Sequence, residues 1–504
     1  MTFLPVLLIL PAMAVSGIPT WYKEARQAFI DEEKAMRVGA KLVLNANEQL
    51  VNTFLMNLKN ETIQQSIWTN TPYPPSVSFF KSKPWIDNST IFQVIKRMPK
   101  GGGLHLHDTA LASLDWVVKS LTYTPNLYTK VIDGRYPQRR YKIADTHPES
   151  DWQSVSDLRK SFNDSAEFDK RLVREMTIWV ENPFLAYPSI NDVWTKFETY
   201  FTTIYDLVGN LTNMRLYLEE SLQEFYDDGV QYMELKTVPW VDSNGNDVTD
   251  DYVEMVQEVA NSFKQQHPDF IGVKVILAGR RSQSQQADVV NRTLALMKKF
   301  PDLVKGFDLL QQEDNTHMTY DFINDLLKSD HSVVSYFFHA GETDWTQWVD
   351  LNLIDSVLLN ASRIGHGFAA YHHPKVLEAI IKKGIAIELN PISNQALGLV
   401  YDLRNHPGAF LLANGAPVVV SSDGNPVWFA NPLSHDFYMA FMGLGAVYDD
   451  LKLLKQLAMN SITYSAMTSA EKVDALAKWQ NKWNTFIADV ISIYKLSSVD
   501  EIIG

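Results

Sequence analysis

Cysteine is absent from the whole chain of 504 residues. Without it no disulfide can brace the fold, and no thiol can act as a nucleophile or as a metal ligand. Any metal must therefore be held by histidine, aspartate or glutamate. The rest of the composition, 46% hydrophobic and 21% charged, is that of a folded protein large enough to bury a core without such links.

Net positive charge is absent too, because 45 Lys and Arg stand against 59 Asp and Glu, which gives a formal net charge of −14. Basic residues are scattered, with Arg139-Arg140 and Lys382-Lys383 among the few adjacent pairs, so nothing resembles a footprint for a phosphate backbone. No later apolar run reaches the roughly 20 residues of a membrane-spanning helix. We therefore expect no nucleic-acid partner and no membrane span, and a small neutral substrate suits this charge better.

The chain begins with an apolar, nearly uncharged run over residues 2–15, followed by the small residues Ser16 and Gly17. The run is too short to span a bilayer comfortably and lies at the extreme N-terminus, which predicts a cleaved secretory signal over residues 1–17. The basic residues that usually precede such a run are missing. A buried first helix or strand is the alternative interpretation.

Six Asn-x-Ser/Thr sequons, none with proline in the middle, support export of the chain. Together with the apolar start they predict a secreted, extracellular glycoprotein. The candidate glycosylation sites are Asn60, Asn88, Asn163, Asn210, Asn291 and Asn360.

Several histidines stand at the ends of short apolar segments. His105 and His107 are two residues apart, so on a strand both imidazoles leave the same face, where one metal ion could accept both. His339 ends a second apolar run, His366 a third, and Asp423 a fourth. Three histidines and an aspartate suit Zn²⁺ in a hydrolytic site, whereas histidines that merely face solvent or a polar core are the competing interpretation.

A regular alternation of strand-like runs and amphipathic stretches begins at Gly101 and predicts a (β/α)8 TIM-type barrel. The candidate histidines and Asp423 fall at the ends of these runs, where such barrels gather their catalytic residues. The predicted strands are 103–107, 230–236, 272–278, 304–310, 336–339, 362–365, 385–389 and 417–421.

The segments outside the barrel alternation divide the chain further. Residues 18–100 carry apolar residues at helical spacing and predict an N-terminal helical region, which either packs on a partner subunit or caps the main domain. Residues 101–490 form the predicted barrel domain, and 491–504 a C-terminal tail. The interval of about 121–191 is too long for one strand-helix connection, so we expect an insertion after the first barrel strand that binds a partner or shields the site.

Six motifs, in order and at consistent separations, resemble those of the adenosine deaminases, and specifically the secreted adenosine deaminase-related growth factors. They are GGGLHLHD (101–108), YFFHAGETDW (336–345), RIGHGF (363–368), NPISN (390–394), DLRNHP (402–407) and VSSD (420–423). The resemblance covers nearly the whole chain after the signal. It implies a secreted zinc-dependent enzyme that hydrolyses adenosine or 2′-deoxyadenosine to the inosine product and ammonia. It also implies that the N-terminal helices form a homodimer, and it allows growth-factor activity with a cell-surface receptor or glycan as a further partner.

The resemblance also implies roles for individual residues. Glu342 would deliver a proton to N1 of the purine, and His366 would take or orient the proton of the attacking water. Asp108 and Trp194 match residues that contact the nucleoside, although a core aromatic is the competing interpretation for Trp194. One Zn²⁺ per subunit would be held by His105, His107, His339 and Asp423.

Two positions depart from the family pattern. Gly424 stands where a second aspartate usually accepts a hydrogen bond from the purine, and Gln311 stands where a glycine backbone usually meets the base. Losing such a buried partner typically costs about 1.5–3 kcal/mol, and a Gln311 side chain could occupy the space of the base. Three interpretations stay open. The protein is an adenosine deaminase of weakened affinity in which Asn425 or Gln311 supplies substitute hydrogen bonds, a deaminase of shifted specificity, or a secreted binding protein with impaired turnover.

A nucleotide deaminase is a further alternative, but it would need a set of basic phosphate-binding residues.

Overall fold

The computed structural model describes residues 18–242, 245–328 and 334–497. The predicted signal over 1–17 lies outside these residues. Within them, no helix is long and apolar enough to cross a membrane.

Four α-helices precede the barrel in the described part of the chain. The second is started by a capping box, in which the Asn45 side chain accepts from the Glu48 amide while the Glu48 side chain accepts from the Asn45 amide. The first helix buries none of its residues and leaves Trp21 and Phe29 68% and 72% exposed. The body of the chain therefore leaves apolar side chains of this helix uncovered. The helices are α1 (Thr20–Met36), α2 (Ala46–Trp68), α3 (Phe79–Asp87) and α4 (Thr90–Arg97).

The first barrel strand is followed by the segment that we predict to be an insertion, and a small antiparallel sheet in the order β3-β2-β4 lies in that segment. Two ion pairs fix this sheet, since Arg139 binds Glu175 and Arg140 binds Asp206. These arginines are therefore engaged within the fold. The elements are β1 (Gly101–His107), α5 (Leu114–Leu121), β2 (Leu127–Ile132), β3 (Gln138–Ile143), β4 (Gln153–Ser154), α6 (Val155–Ser161), α7 (Ser165–Met176) and α8 (Pro183–Ala186).

The remaining elements alternate between helix and strand and then end in helices. The final helix runs to Tyr494, so the expected boundary of the C-terminal tail at 491 falls in its last turn. In chain order the elements are α9 (Ile190–Val208), α10 (Leu211–Asp227), β5 (Val230–Thr237), α11 (Thr249–Gln266), β6 (Gly272–Arg280), α12 (Ala287–Lys299), β7 (Val304–Leu310), α13 (Ile323–Lys328), β8 (Ser335–Tyr336), β9 (His339–Ala340), α14 (Asn352–Leu358), β10 (Arg363–His366), α15 (Pro374–Lys383), β11 (Ala386–Leu389), α16 (Pro391–Ala396), α17 (Gly408–Ala413), β12 (Val418–Val420), α18 (Ser434–Met439), α19 (Leu451–Thr463) and α20 (Ser469–Tyr494).

The parallel strands form a TIM-type barrel. One sheet has the order β1-β5-β6-β7-β8 and the other β12-β11-β10-β9, and a bridge between Leu106 and Asp423 joins β1 to the end of β12. The strands β8 and β9 are two pieces of one barrel position, interrupted at Phe337 and Phe338. The barrel prediction is confirmed, with strand bounds within two residues of those expected at most positions, and the carboxyl ends of the strands meet at one end of the molecule.

Candidate metal and catalytic site

Four histidines and an aspartate from four barrel positions meet at the carboxyl ends of the strands. The His105 ring lies 4.4 Å from that of His339 and 4.7 Å from that of His366, measured between ring centroids. The ligand atoms of His105, His107 and His339 lie within 4.8 Å of one another, and so do those of His105, His366 and Asp423. Side chains that are more than 300 residues apart in the chain therefore converge on one point, as their places at strand ends led us to expect.

Two buried carboxylates orient the central imidazoles. Nδ1 of His105 lies 2.6 Å from Glu388 Oε2, and Nδ1 of His339 lies 2.8 Å from Asp308 Oδ2. Because an ionised carboxylate only accepts, each Nδ1 donates and each Nε2 keeps a free lone pair. Nε2 of His105 is buried and has no hydrogen-bond partner among the described residues. A buried, unsatisfied acceptor nitrogen beside other nitrogen and oxygen donors fits a metal ion such as Zn²⁺.

A second set of charges keeps these carboxylates ionised. Lys236 Nζ lies 2.7 Å from Asp308 and 3.4 Å from Glu388, and Arg363 Nε lies 2.7 Å from Glu388. Burial alone would raise the pKa of both carboxyl groups, but His339 and Lys236 lower that of Asp308, and Lys236 and Arg363 lower that of Glu388, far below the usual range. Both groups therefore stay negative at neutral pH and hold the imidazoles in one tautomer.

Asp423 is held against the histidines in a strained conformation. Its Oδ1 lies 3.0 Å from His107 Nε2 and 3.6 Å from His105 Nε2, while its Oδ2 accepts from Ser393 at 2.7 Å. The φ angles of Asp423 and His366 are +59° and +60°, in the left-handed region that non-glycine residues rarely adopt. Such strain persists where the surrounding structure enforces it and is concentrated at functional sites.

A chain of hydrogen bonds fixes the tautomer of His366. The Gly408 amide donates to His406 Nδ1 at 2.8 Å, so His406 Nε2 carries the proton and donates to Asn394 Oδ1 at 2.9 Å. This orients the Asn394 amide, whose Nδ2 donates to His366 Nδ1 at 3.0 Å. Burial lowers the pKa of His366 well below its usual range. His366 is therefore neutral, and its single proton sits on Nε2, which has no protein partner among the described residues.

Glu342 is a buried acid beside this histidine. Its Oε1 lies 3.4 Å from His366 Nδ1, and its backbone amide is anchored by Glu313 Oε1 at 2.7 Å. Burial first, and then the charges of Asp423 and Glu313, raise the pKa of Glu342 well above its usual range. The carboxyl group therefore keeps its proton to higher pH than an ordinary glutamate does, which makes it available as a proton donor.

A cavity of about 210 Å³ opens beside these groups. One wall is a single face of α9, which places side chains at spacings of three and four residues along the opening. The helix begins with a capping box between Ser189 and Asp192, which fixes where this face starts. The α9 residues in the wall are Trp194, Phe197, Glu198, Phe201, Thr202 and Tyr205.

Three of the four predicted substrate-binding residues line the cavity, and the fourth does not. Asp108 and Trp194 both line the cavity, and Asp108 already accepts hydrogen bonds from Thr237 and from Trp240. Gln311 also lines it, at a φ of +95°, but its Oε1 accepts from the Ser282 amide at 3.0 Å. The amide oxygen is thus held by a neighbouring loop. Gly424 follows Asp423 but is not part of the cavity wall.

Several residues of the site escaped the sequence analysis. Asp308 and Glu388 were detectable as acids inside mainly apolar strands, a placement that normally requires a buried partner. Glu198 lies one helical turn after Trp194 and shares its face. Arg280, the last residue of β6, lines the cavity mouth and carries no sequence signal beyond its place at a strand end.

Comparison with known proteins places this geometry in context. The family model "Adenosine deaminase" matches residues 176–481, and "Adenosine/AMP deaminase N-terminal" matches residues 6–95. The chain is 41% identical to human adenosine deaminase 2 over 96% of this chain and 97% of that protein. It is 41% identical to an adenosine deaminase of Aedes albopictus over 92% and 88% of the two chains. Among solved structures it shares the fold of a Burkholderia amidohydrolase described with bound Zn, at a TM-score of 0.51 and 17% identity, covering 80% of this chain and 95% of that one.

Proposed function

This chain belongs to the adenosine deaminase family and is a hydrolytic deaminase, and from that premise we propose that it is a secreted, zinc-dependent enzyme that converts adenosine or 2′-deoxyadenosine to the inosine product and ammonia. The observation that carries the proposal is the meeting of a protonated Glu342, a neutral His366 and a cluster of free imidazole nitrogens at one end of a nucleoside-sized cavity.

The proposed metal ligands are the residues already described as converging. When bound, Zn²⁺ would supply Lewis acidity that makes a water nucleophilic near neutral pH. One ion per subunit suits the geometry, because the two groups of ligand atoms share His105. The proposed ligands are His105, His107, His339 and Asp423.

The protein groups divide the proton work between them. Deamination at C6 requires a proton on N1 of the ring, and the protonated carboxyl group of Glu342 is placed to give it. His366, with its proton on Nε2, orients the attacking oxygen by donating a hydrogen bond rather than by accepting a proton, so the proton that the water loses passes to solvent. The relay through Asn394 and His406 supports this choice between the two roles that the family resemblance leaves open.

The altered position Gly424 predicts a gain of function. A Cβ at Gly424 would lie 3.4 Å from Val427, 3.5 Å from Ala110 and 3.7 Å from Trp428, which are ordinary contacts, and the backbone φ is normal. The Cβ of Gly424→Asp is therefore accommodated without displacing its neighbours, and the variant restores the carboxylate that the family resemblance places directly after Asp423. We expect kcat/KM for adenosine to rise by about tenfold to hundredfold, measured as the loss of purine absorbance with the zinc-loaded protein.

The isosteric variant Gly424→Asn is the control for this measurement. A gain that belongs to the carboxylate should be much smaller with the amide. If the parent and Gly424→Asp both bind zinc but neither converts adenosine, the adenosine assignment fails, and a secreted binding protein becomes the better description.

Secretion and dimerisation are supported by surface features. All six sequon asparagines are exposed, as acceptors of a glycan must be, and α1 presents uncovered aromatic residues that a second copy could bury. We expect protein collected from the medium of expressing cells to lose mass on treatment with an N-glycosidase and to scatter light as a dimer. Retention inside the cell, or an unglycosylated monomer, would contradict this part of the proposal.

A further inference from the structure

A second cavity adjoins the catalytic one and shares part of its wall. It has a volume of about 350 Å³, and the two cavities have Tyr205, Val238 and Arg280 in common. The rest of its wall is formed by four aliphatic residues, Pro239, Val241, Ala278 and Val289, and by the polar Gln283. The two cavities therefore meet at these three residues that they share, and the aliphatic part of the second wall favours apolar groups.

The orientation of a bound nucleoside follows from the positions of the reacting groups. C6 must lie near Glu342 and His366, and on a purine the sugar-bearing N9 lies on the far side of the bicycle from C6. The sugar is thus directed away from the histidine cluster, towards the end of the cavity where Arg280 is exposed. Of the sugar carbons, C5′ is the one outside the ring, so it carries a flexible extension towards the second cavity most readily.

The charge of Arg280 determines which chemical group at the end of such an extension would bind best. Its guanidinium makes no hydrogen bond or ion pair with the residues that the structure describes, whereas Lys236, the other Lys or Arg of the catalytic wall, is bound by Asp308. The charge of Arg280 reaches into the cavity: burial raises the pKa of Glu198, and Arg280 opposes that rise. An unengaged guanidinium at the junction of two cavities favours an anionic group, and carboxylates are bound well by its planar fork.

We propose that the preferred substrate is an adenosine whose 5′ carbon carries a short apolar arm ending in a carboxylate, with the arm in the second cavity and the acid on Arg280. This inference rests on the proposed deaminase function, since the reacting groups set the direction of the sugar. A nucleoside 5′-phosphate shares the negative charge but lacks the apolar arm, so it would leave the aliphatic walls unfilled.

Binding of unreactive product analogues tests the proposal. The probes are inosines with a 5′-(2-carboxyethylthio) group, the corresponding neutral carboxamide, and inosine 5′-phosphate, titrated calorimetrically into the zinc-loaded full chain. We expect the acid to bind at least about tenfold more tightly than the amide, and more tightly than the phosphate. In Arg280→Gln the acid-to-amide ratio should fall to about one, while Arg292→Gln, whose arginine pairs with Asp247 and Asp250 outside both cavities, should keep it.

The outcomes separate this inference from the proposed function. Equal affinities of acid and amide, or a ratio that survives in Arg280→Gln, would overturn the role of Arg280, and tighter binding of the phosphate would overturn the apolar arm. Conversion of adenosine together with either result would leave the deaminase function standing. A ratio that depends on Arg280, with no conversion of any adenosine, would support the inference and reject the proposed function.

Discussion

Glu342→Gln lowers kcat/KM for adenosine by about 10²–10⁴-fold, with little change in KM and full zinc content, if the buried acid delivers the proton to the purine ring. Glutamine has the shape of a protonated glutamate and can still donate a hydrogen bond, but it cannot release the proton. The substitution therefore removes proton transfer while it leaves the cavity and the cluster of histidines in place. Steady-state kinetics and a metal determination on the same preparation measure both effects.

The stability of this variant provides a second check with a definite sign. The pKa of Glu342 is raised in the folded state. At a pH between the ordinary pKa of a glutamate and this raised value, the folded chain keeps the proton of Glu342 and the unfolded chain has lost it. In that window the stability of the parent falls as pH rises. Glutamine does not ionise, so at neutral pH Glu342→Gln should unfold at the same temperature as the parent or higher, and below the ordinary carboxyl range the difference should vanish.

A contrasting variant separates proton delivery from orientation of the attacking oxygen. Asn394→Asp makes this position an acceptor from both neighbours, so His366 would carry its proton on Nδ1 and lose the Nε2 donor that the relay now provides. We expect a lower kcat here as well, although Glu342 is intact. If activity survives either change within a factor of about ten, the corresponding role is misassigned.

The barrel and the convergence of its strand ends were accessible from the sequence because both depend on local pattern. Each strand is a short buried run, and His105, His339 and Asp423 lie at or just beyond such runs. Parallel strands must bring those ends together, so proximity follows without any knowledge of side-chain contacts. The strands of the insertion were harder to predict from the sequence. In β3 the side chain of Arg139 points inward and pairs with Glu175, so the strand lacks the usual alternation of apolar and polar residues.

The charges beneath the site could not be derived from pattern, because each depends on partners distant in sequence. Lys236 forms ion pairs with Asp308 and Glu388, which lie 72 and 152 positions further along the chain. The attraction among these three charges offsets the free energy that burying each of them alone would cost. The position of Gln311 is a similar case. Its side chain lines the cavity, as the expected intrusion requires, but the structure adds that its amide oxygen accepts from Ser282, a contact that depends on the loop after β6.

Removal of the metal has the second large effect that the geometry predicts. We expect a chelator to abolish adenosine turnover and to lower the unfolding temperature, and one equivalent of Zn²⁺ per subunit to restore both. An ion present at a thousand times its dissociation constant stabilises the folded state by about 4 kcal/mol. The stripped protein should be less stable because Nε2 of His105 is then left buried without a partner, and His107 and Asp423 lose the ion between them.

Two histidine substitutions make this test specific. His339→Asn removes a proposed ligand and should reduce zinc content and activity together, while leaving Asp308 without the imidazole that helps to keep it ionised. His373→Asn alters a histidine outside the cluster, whose Nε2 lies 3.0 Å from Asp350 Oδ2, and this variant should keep its zinc. Equal zinc content in the two variants would mean that the metal is held elsewhere. Loss of zinc in His339→Asn alone would tie the ion to the strand ends, where Asp308, Glu388 and Lys236 already hold the imidazoles in the single tautomer that leaves Nε2 free to bind it.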